Sequence, residues 1–559
     1  MDKSKQLQEK LSEIKHQEEE NKAKQLANKL DLPYINLTIT PIDPNDLILL
    51  TKEKAQKGNA LIIKKSGRIL RLAVKNPKSS ETQKIIKEFQ NQGFECKLFI
   101  ASLNSLKKGW QRYELSISHQ KEQSVQGVFN IKKEDLEEFK NSLKTIQDLE
   151  KAITGLSTSK LLTIVLAGSI EMGASDIHLE PGKEGIRLRY RIDGLLQDIA
   201  LFPTKEYHFL ISRIKSLSDM LLNVVDVSQD GRFTTKILGG DKNFPETIDL
   251  RVSLLPTNYG ESVVMRLLGT STIELNLDDL GIRPELFKLI KGQIDKPNGL
   301  ILTTGPTGSG KTTTLYACLN YVNQPGTKII TVEDPVEYKL KGITQTPISS
   351  RKGHTFGKAL RAIVRQDPDI LMLGEIRDKE SAEIAIEFAL TGHIVFSTIH
   401  TNEAAGAVPR LFGMGISPNS LASSLNLIMA QRLVRKLCPD CKEEYKPSNE
   451  IIEAIKKILS SIPSNSDIKI SKDISVIYKA KGCKKCHNIG YRGRIGIFEF
   501  LSVTEPIKKL ILSESASFEI QKKAQEEGMI TLIQDAVINI IEGKTSLEEV
   551  ERIIGSLEE

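Results

Sequence analysis

Gly299-Leu-Ile-Leu-Thr-Thr-Gly-Pro-Thr-Gly-Ser-Gly-Lys-Thr-Thr-Thr314 decides the architecture of this 559-residue chain. Leu300 to Thr304 is short, apolar and β-branched, the composition of a buried strand. Gly305-Pro306-Thr307-Gly308-Ser309-Gly310-Lys311-Thr312 then has the spacing of a phosphate loop: a glycine, four residues and Gly-Lys-Thr. Its glycines let successive backbone N–H groups turn toward an anion. Thr313 to Asn320 is a helix-forming run whose positive end faces the same charge. Lys311 is expected on the β- and γ-phosphates of ATP or ADP, and the Thr312 hydroxyl on Mg²⁺. A mere glycine-rich turn would not need a strand before it and a helix after it.

Working outward, three more apolar runs end in polar residues. Lys328-Ile-Ile-Thr-Val-Glu-Asp-Pro335 ends in Glu333 and Asp334, and Asp369-Ile-Leu-Met-Leu-Gly-Glu-Ile-Arg377 reaches Glu375. Ile394 to Thr398 is flanked by His393 and His400. In a doubly wound sheet, ligands bind outside the carboxyl ends of the strands, so these acids should gather near the phosphates.

Composition sets the frame. The length implies several domains, and 39% hydrophobic with 27% charged residues describes a globular chain with ample core. The net charge of +7 suits a solvated lysine-rich surface better than a nucleic-acid or membrane site. No apolar run approaches the ~20 residues a bilayer needs, and the charged N-terminus has no apolar core of a signal peptide. The chain reads as cytoplasmic. Six cysteines, four of them in two Cys-x-x-Cys pairs, point to metal rather than to disulfides.

Along the chain, Leu7, Leu11 and Ile14 have helical spacing in a Lys/Glu-rich lead. Residues 1–112 read as a small mixed first domain, with strands at Leu61–Ile63 and Ile69–Val74 and a helix from Thr82 to Gln92. Cys96 reads as core there, as does Cys318 in the later helix. Residues 113–150 read as a linker ending in a charged helix, Lys132 to Ile153. A second domain, 151–270, opens with a helical pattern from Leu161 to Met172. In Ile186-Arg-Leu-Arg-Tyr-Arg-Ile-Asp-Gly194 the arginines alternate with apolar residues, so they share one strand face. That face is either solvated or aimed at a ligand or neighbour. Arg232, Arg251 and Arg266 also lie beside strands. Residues 271–559 hold the ATPase domain.

The blocks GPTGSGKTTTLYA, VEDPVEY, RQDPDILMLGEIRD and TGHIVFSTIHTN resemble the secretion ATPase superfamily, and more narrowly the type IV pilus assembly ATPases and their type II secretion relatives. GASDIHLEP, RYRIDG, QDGR, GESVVMRLL, AQRLVRKLCPDC, CKKC and GYRGRIGIFEFL extend the resemblance over nearly the whole chain. It implies an α/β, multi-domain fold: a RecA-like phosphate-loop ATPase core, a PAS-like α+β second N-terminal domain, a small mixed first N-terminal domain and a zinc-binding insertion at 436–490. It also implies a homo-hexameric ring at the inner face of the cytoplasmic membrane, associated peripherally through a platform protein. By position, Glu375 becomes the Mg²⁺-associated acid and Glu333 the residue polarising the attacking water, with Asp334 and Glu337 beside it. His393 and His400 fall in a histidine box that reports on the γ-phosphate, and Thr313 joins the phosphate loop. Arg232, Arg251 and Arg266 match arginines that approach a ring neighbour's site. An N-terminal repeat with an Arg-Leu-Gly start, which binds cyclic di-GMP in some relatives, is not found, so regulation by that nucleotide is not expected. The chain has the first N-terminal domain and the cysteines that retraction motors lack, and reads as an assembly motor.

Cys438-Pro-Asp-Cys441 and Cys483-Lys-Lys-Cys486 form two turns able to complete a tetrahedral Zn²⁺ site. The insert is long for a zinc ribbon, leaving a redox pair or two unrelated turns open on spacing alone; the resemblance favours structural zinc, with His487 surplus. The leading function is ATP-driven pilus assembly. The alternatives are a type II secretion motor, a nucleotide-binding scaffold and a DNA-uptake motor. A scaffold would not need a water-polarising acid. Aromatic content of 5% with one tryptophan leaves few stacking platforms for single strands, so nucleic acid is not an expected partner.

Overall fold

The computed structural model describes residues 18–557 apart from 38–39, 41, 43, 48, 121–126, 133, 135–157, 239–246, 270–275, 349–355, 467 and 469–473. The run containing Leu7, Leu11 and Ile14 lies outside the described residues, as does nearly all of the charged helix expected from Lys132 to Ile153. The chain divides into two compact units, Met1–Val125 and Gln126–Glu559.

In the first unit, β1 (Ala60–Ser66) pairs antiparallel with β2 (Ile69–Val74), which pairs in parallel with β3 (Glu95–Ile100). A parallel pair needs a crossover. Helix α1 (Ser80–Asn91) supplies it, with the Ser79 side chain accepting from the Thr82 N–H as its cap. Ile85 and Phe89, one turn apart, pack on Leu61, Leu70 and Leu72 of the sheet. Both expected strands and the expected helix are present. Helix α2 (Leu103–Gln120) covers the same core, its Trp110 donating from Nε1 to the Ala60 carbonyl.

The second unit contains two seven-stranded sheets. One has the order β4–β8–β9–β10–β5–β6–β7, with β4 Val128–Lys132, β5 Ala174–Pro181, β6 Ile186–Ile192, β7 Leu195–Phe202, β8 Gln229–Leu238, β9 Thr247–Thr257 and β10 Gly260–Gly269. Helices α3 (Thr158–Glu171) and α4 (Thr204–Leu217) bury one face against Ile177, Tyr190, Leu250 and Met265. Tyr190 Oη donates to the Val165 carbonyl at 2.7 Å, anchoring α3. The other face carries the arginines, as the alternation in β6 requires. Strand β4 corrects the reading of 113–150 as a linker. Val-Phe-Asn-Ile-Lys alternates, Phe129 and Ile131 are buried, and the strand pairs in parallel with β8 as the sheet edge.

The ATPase sheet has the order β13–β12–β14–β15–β11–β16–β19. Its strands are β11 Gly299–Thr304, β12 Ile329–Glu333, β13 Thr344–Pro347, β14 Ile370–Leu373, β15 Ile394–Ile399, β16 Leu425–Leu437 and β19 Tyr491–Ser502. All adjacent pairs are parallel except β16 with β19. Strands β11, β12, β14 and β15 are buried at every position, because helices cover both faces of a parallel sheet. Helices α5 (Lys311–Val322) and α6 (Lys379–Leu390) are two of those covers. Between β16 and β19, the four cysteines flank the short pair β17 (Glu443–Tyr445) and β18 (Ile477–Lys479). Among the described residues no helix is long and apolar enough to cross a membrane.

Candidate active site

Parallel pairing brings the expected acids to one edge. Thr304 stands beside Ile399, Leu373 beside both Ser397 and Val332, so the carboxyl ends of β11, β12, β14 and β15 coincide. The phosphate loop leaves β11 there. Gly305, Gly308 and Gly310 have φ of 148°, 81° and 87°, a region that side chains disfavour. A Cβ on Gly305 would lie 2.6 Å from the Gln431 carbonyl oxygen, and one on Gly310 would lie 2.8 Å from Gln431 Nε2. Gln431, on β16, is therefore the floor under the loop, braced by the Thr314 hydroxyl donating to its Oε1 at 2.7 Å. It was legible only as part of the AQRLVRKL block, with no role attached.

Ser309 Oγ is buried with no hydrogen-bond partner among the described residues, and the N–H groups of the first turn of α5 have no intrahelical acceptor. Lys311 Nζ donates to the carbonyls of Gly305 and Pro306 at 2.8 and 3.1 Å. Burial holds its pKa below the ordinary lysine value, opposed by the nearby Glu375 carboxylate. A cradle of amides, an orphaned buried hydroxyl and a half-buried ammonium fit a polyphosphate. Thr312 and Thr313 follow in the same helical turn.

Glu375, two residues past β14, is mostly buried and paired with Arg377, with His400 Nε2 at 3.4 Å on its other oxygen. The bond to Glu375 is the main reason that Arg377 has a raised pKa. Sequence reading assigned Arg377 no role, although it stands two residues from the acid.

Glu333 and His393 depart from expectation. The Glu333 side chain is 3% exposed and accepts from Tyr316 Oη, Thr331 Oγ1 and Gln345 Nε2. Burial, then the bond to Glu333, raises the Tyr316 phenol. Such a carboxylate is buried and taken up by side chains of its own strand and of neighbouring elements. Glu337, by contrast, is 38% exposed and faces Arg251. His393 precedes β15, whereas His400 follows it. Seven residue steps, at about 3.3 Å each, put the two histidines roughly 23 Å apart at opposite ends of the strand. His393 instead packs on Phe388, with Nδ1 3.1 Å from that residue's carbonyl, so it is corrected from a phosphate sensor to a residue of the far end.

Arg232, Arg251, Arg266, Asp176 and Arg191 stand in direct register across β8, β9, β10, β5 and β6. Residues paired in this way share a face. Arg266 Nε binds Asp176 Oδ1 at 2.8 Å, while Arg232 is exposed. Arg251 Nη2 donates to the Val336 carbonyl at 3.2 Å and Nη1 lies 3.6 Å from Glu337. Arg251, expected to serve a neighbouring chain, meets within this chain the acid loop that follows β12.

The sulfurs of Cys438, Cys441, Cys483 and Cys486 all lie within 4.8 Å of one another, with three contacts at 3.7–3.9 Å. Tetrahedral Zn²⁺ with bonds of about 2.3 Å puts its sulfurs about 3.8 Å apart, so the set fits that ion. Burial opposes ionisation of Cys486, but the N–H groups of Cys483 and Gly490 aimed at its sulfur bring it down to about 7. A thiol so tuned is ready to act as a thiolate ligand.

Residues 155–552 match the family described as type II/IV secretion system protein, and residues 30–119 match the MshEN domain. The chain is 37% identical over 525 residues to the type IV pilus assembly ATPase PilB of Myxococcus xanthus, covering 94% of this chain and 89% of that one. It is 42% identical over 407 residues to the type II secretion system ATPase E of Vibrio cholerae, covering 73% and 77%. The crystal structure of the Yersinia pseudotuberculosis ATPase DotB shares the fold, with a TM-score of 0.53 at 21% identity over 73% of this chain and 95% of that one.

Proposed function

Because the chain belongs to the type II/IV secretion system ATPase family and is a phosphate-loop ATP hydrolase, we propose that it drives type IV pilus assembly as a homo-hexamer at the inner face of the cytoplasmic membrane. The observation that carries the catalytic part is the convergence of Lys311, Glu375, His400, Glu337 and Arg251 at one edge of the ATPase sheet. The pilus assignment is supported by an alignment to a pilus assembly ATPase through 94% of this chain, first N-terminal unit included. A type II secretion motor is the second reading, favoured by the higher identity, 42%, to such an ATPase over the shared core.

In this reading the loop amides and Lys311 bind the phosphates of ATP, and Thr312 and Glu375 hold Mg²⁺. That ion, when bound, neutralises charge developing on the phosphoryl oxygens. Glu337 orients the attacking water, since of the two glutamates of the VEDPVEY loop it is the one that reaches solvent. Arg251 supplies positive charge from the preceding domain, and His400 steadies the free oxygen of Glu375. We assign structural Zn²⁺ to the four cysteines, with no open coordination position. An inner-membrane platform protein is the partner through which the ring does work, and nucleic acid has no part in the reading.

Deleting the gene and restoring it with wild-type or Lys311→Ala sequence tests the assignment. Surface pili should vanish, return with the wild type and stay absent with the variant. Normal piliation together with loss of secreted enzymes would replace the pilus reading with the secretion one.

A further inference from the structure

The segment that follows the last cysteine is wound tightly on the sulfur cluster. The N–H groups of Asn488 and Ile489 donate to the carbonyls of Cys483 and Cys486 at 2.9 Å each. The Gly490 N–H donates to Cys486 Sγ at 3.2 Å, and its carbonyl accepts from the Cys438 N–H at 3.0 Å. His487 and Asn488 are both left-handed, with φ of 51° and 63°, a conformation that non-glycine residues hold only when their surroundings impose it. The backbone hydrogen bonds of residues 488–490 therefore run back to the cysteines, and that of His487 to Lys484 between them.

This wound segment does not end in solvent. Ile489 packs against the hydrophobic core of the second N-terminal domain. Four residues on, the Gly493 N–H donates at 2.8 Å to Oδ2 of Asp193, which sits at φ 48° in the turn between β6 and β7. A charged acceptor makes this one of the stronger kinds of hydrogen bond. Asp193 extends β6, three strands from Arg251 on β9, so at about 4.8 Å per strand the two interdomain contacts lie roughly 15 Å apart on one sheet. Two such points leave only a hinge about the line between them, where one would leave a free pivot.

We propose that the four-cysteine centre is an interdomain clasp: the metal held by Cys438, Cys441, Cys483 and Cys486 shapes residues 487–493 to grip the second N-terminal domain at Ile489 and Asp193, and so holds the arginine-bearing sheet against the ATPase domain. A metal that served only its own subdomain would need neither contact. The proposal rests on the zinc assignment made above.

Hydrogen exchange on the full chain tests it, with zinc measured in every sample. The samples are the wild type, the wild type stripped by a chelator, Asp193→Ala and Ile489→Ser. Stripping should speed exchange across residues 186–202, which contain no cysteine, by about tenfold or more, the size expected for loss of a charge-assisted bond and its packing. Strands β11 and β15 should stay protected. The two variants should reproduce the change at 186–202 with their zinc retained. Faster exchange confined to residues 436–493, with 186–202 unchanged in the stripped sample, would overturn the clasp and leave the ATPase reading untouched. If stripping unfolds the chain, the zinc-retaining variants decide: unchanged exchange at 186–202 in both overturns the proposal. A wild-type sample without zinc would sink the metal assignment and the clasp together.

Discussion

Arg251, on β9 of one seven-stranded sheet, and Glu337, in the loop after β12 of the other, meet at 3.6 Å, with a second guanidinium nitrogen 3.2 Å from the Val336 carbonyl. This contact ties the row of cationic side chains on β8, β9, β10 and β6 to the acid loop beside the phosphate site. Both partners are more than a third exposed, so the pair itself contributes little stability. In the proposed reading its importance is positional, since it would set an arginine where charge develops during phosphoryl transfer.

Arg251→Ala should lower ATP turnover by about 10³-fold or more, the scale seen when an arginine that stabilises this transition state is lost. Because the contact is made within one chain, mixing Arg251→Ala with Lys311→Ala protein should restore nothing, even when subunits exchange. Recovery of activity on mixing would mean that the arginine acts on a neighbour instead.

The two glutamates of the VEDPVEY loop should separate cleanly. Glu337→Gln is expected to bind ATP and fail to hydrolyse it, because only the acceptor for the attacking water is removed. Glu333→Gln should chiefly destabilise the fold, by about 1–3 kcal/mol, since it leaves a buried donor of the Tyr316–Thr331–Gln345 set without its acceptor. Thermal melts and single-turnover hydrolysis on both variants check this. An unshifted melting point for Glu333→Gln with complete loss of hydrolysis would reverse the roles.

His393→Ala should turn over ATP at the wild-type rate, and His400→Ala should not. The first lies at the far end of the strand, while the second faces Glu375 at 3.4 Å. Steady-state rates at saturating Mg²⁺ and ATP compare them directly, and equal losses would contradict the placement.

Elemental analysis should find one zinc per chain, and Cys438→Ser or Cys483→Ser should lose it. Zinc in small model domains contributes roughly 10–16 kcal/mol of apparent binding energy at neutral pH. Here the expected cost is local, because β16 and β19 pair with each other beyond the cluster. Ligands must be deprotonated and metal binding releases protons, so zinc affinity should weaken as pH falls, measured by competition with a chelator.

Much of the ATPase centre was legible in order along the chain. The phosphate loop, the acid two residues beyond Leu373 and the two Cys-x-x-Cys turns are local patterns, whose chemistry depends on residues a few positions apart. The parallel sheet was equally legible, from apolar runs too short for helices and broken by helical stretches. The alternation in Ile186–Ile192 likewise foretold which face of β6 carries arginine. Tertiary structure decided the rest, for reasons of direction and distance. A motif does not say which end of a strand meets the ligand edge, so His393 and His400 look equivalent until β15 is laid parallel to β11. Nor does spacing say which of two nearby acids turns inward: Glu333 is claimed by Tyr316 and Gln345, side chains 17 and 12 residues away. Strand β4 was hidden in a polar stretch because its partner, β8, lies about a hundred residues on. The register that aligns Arg232, Arg251, Arg266, Asp176 and Arg191, and the reach of Gly493 to Asp193, are pairings between distant segments. No local periodicity encodes them, because only the folded backbone brings those residues together.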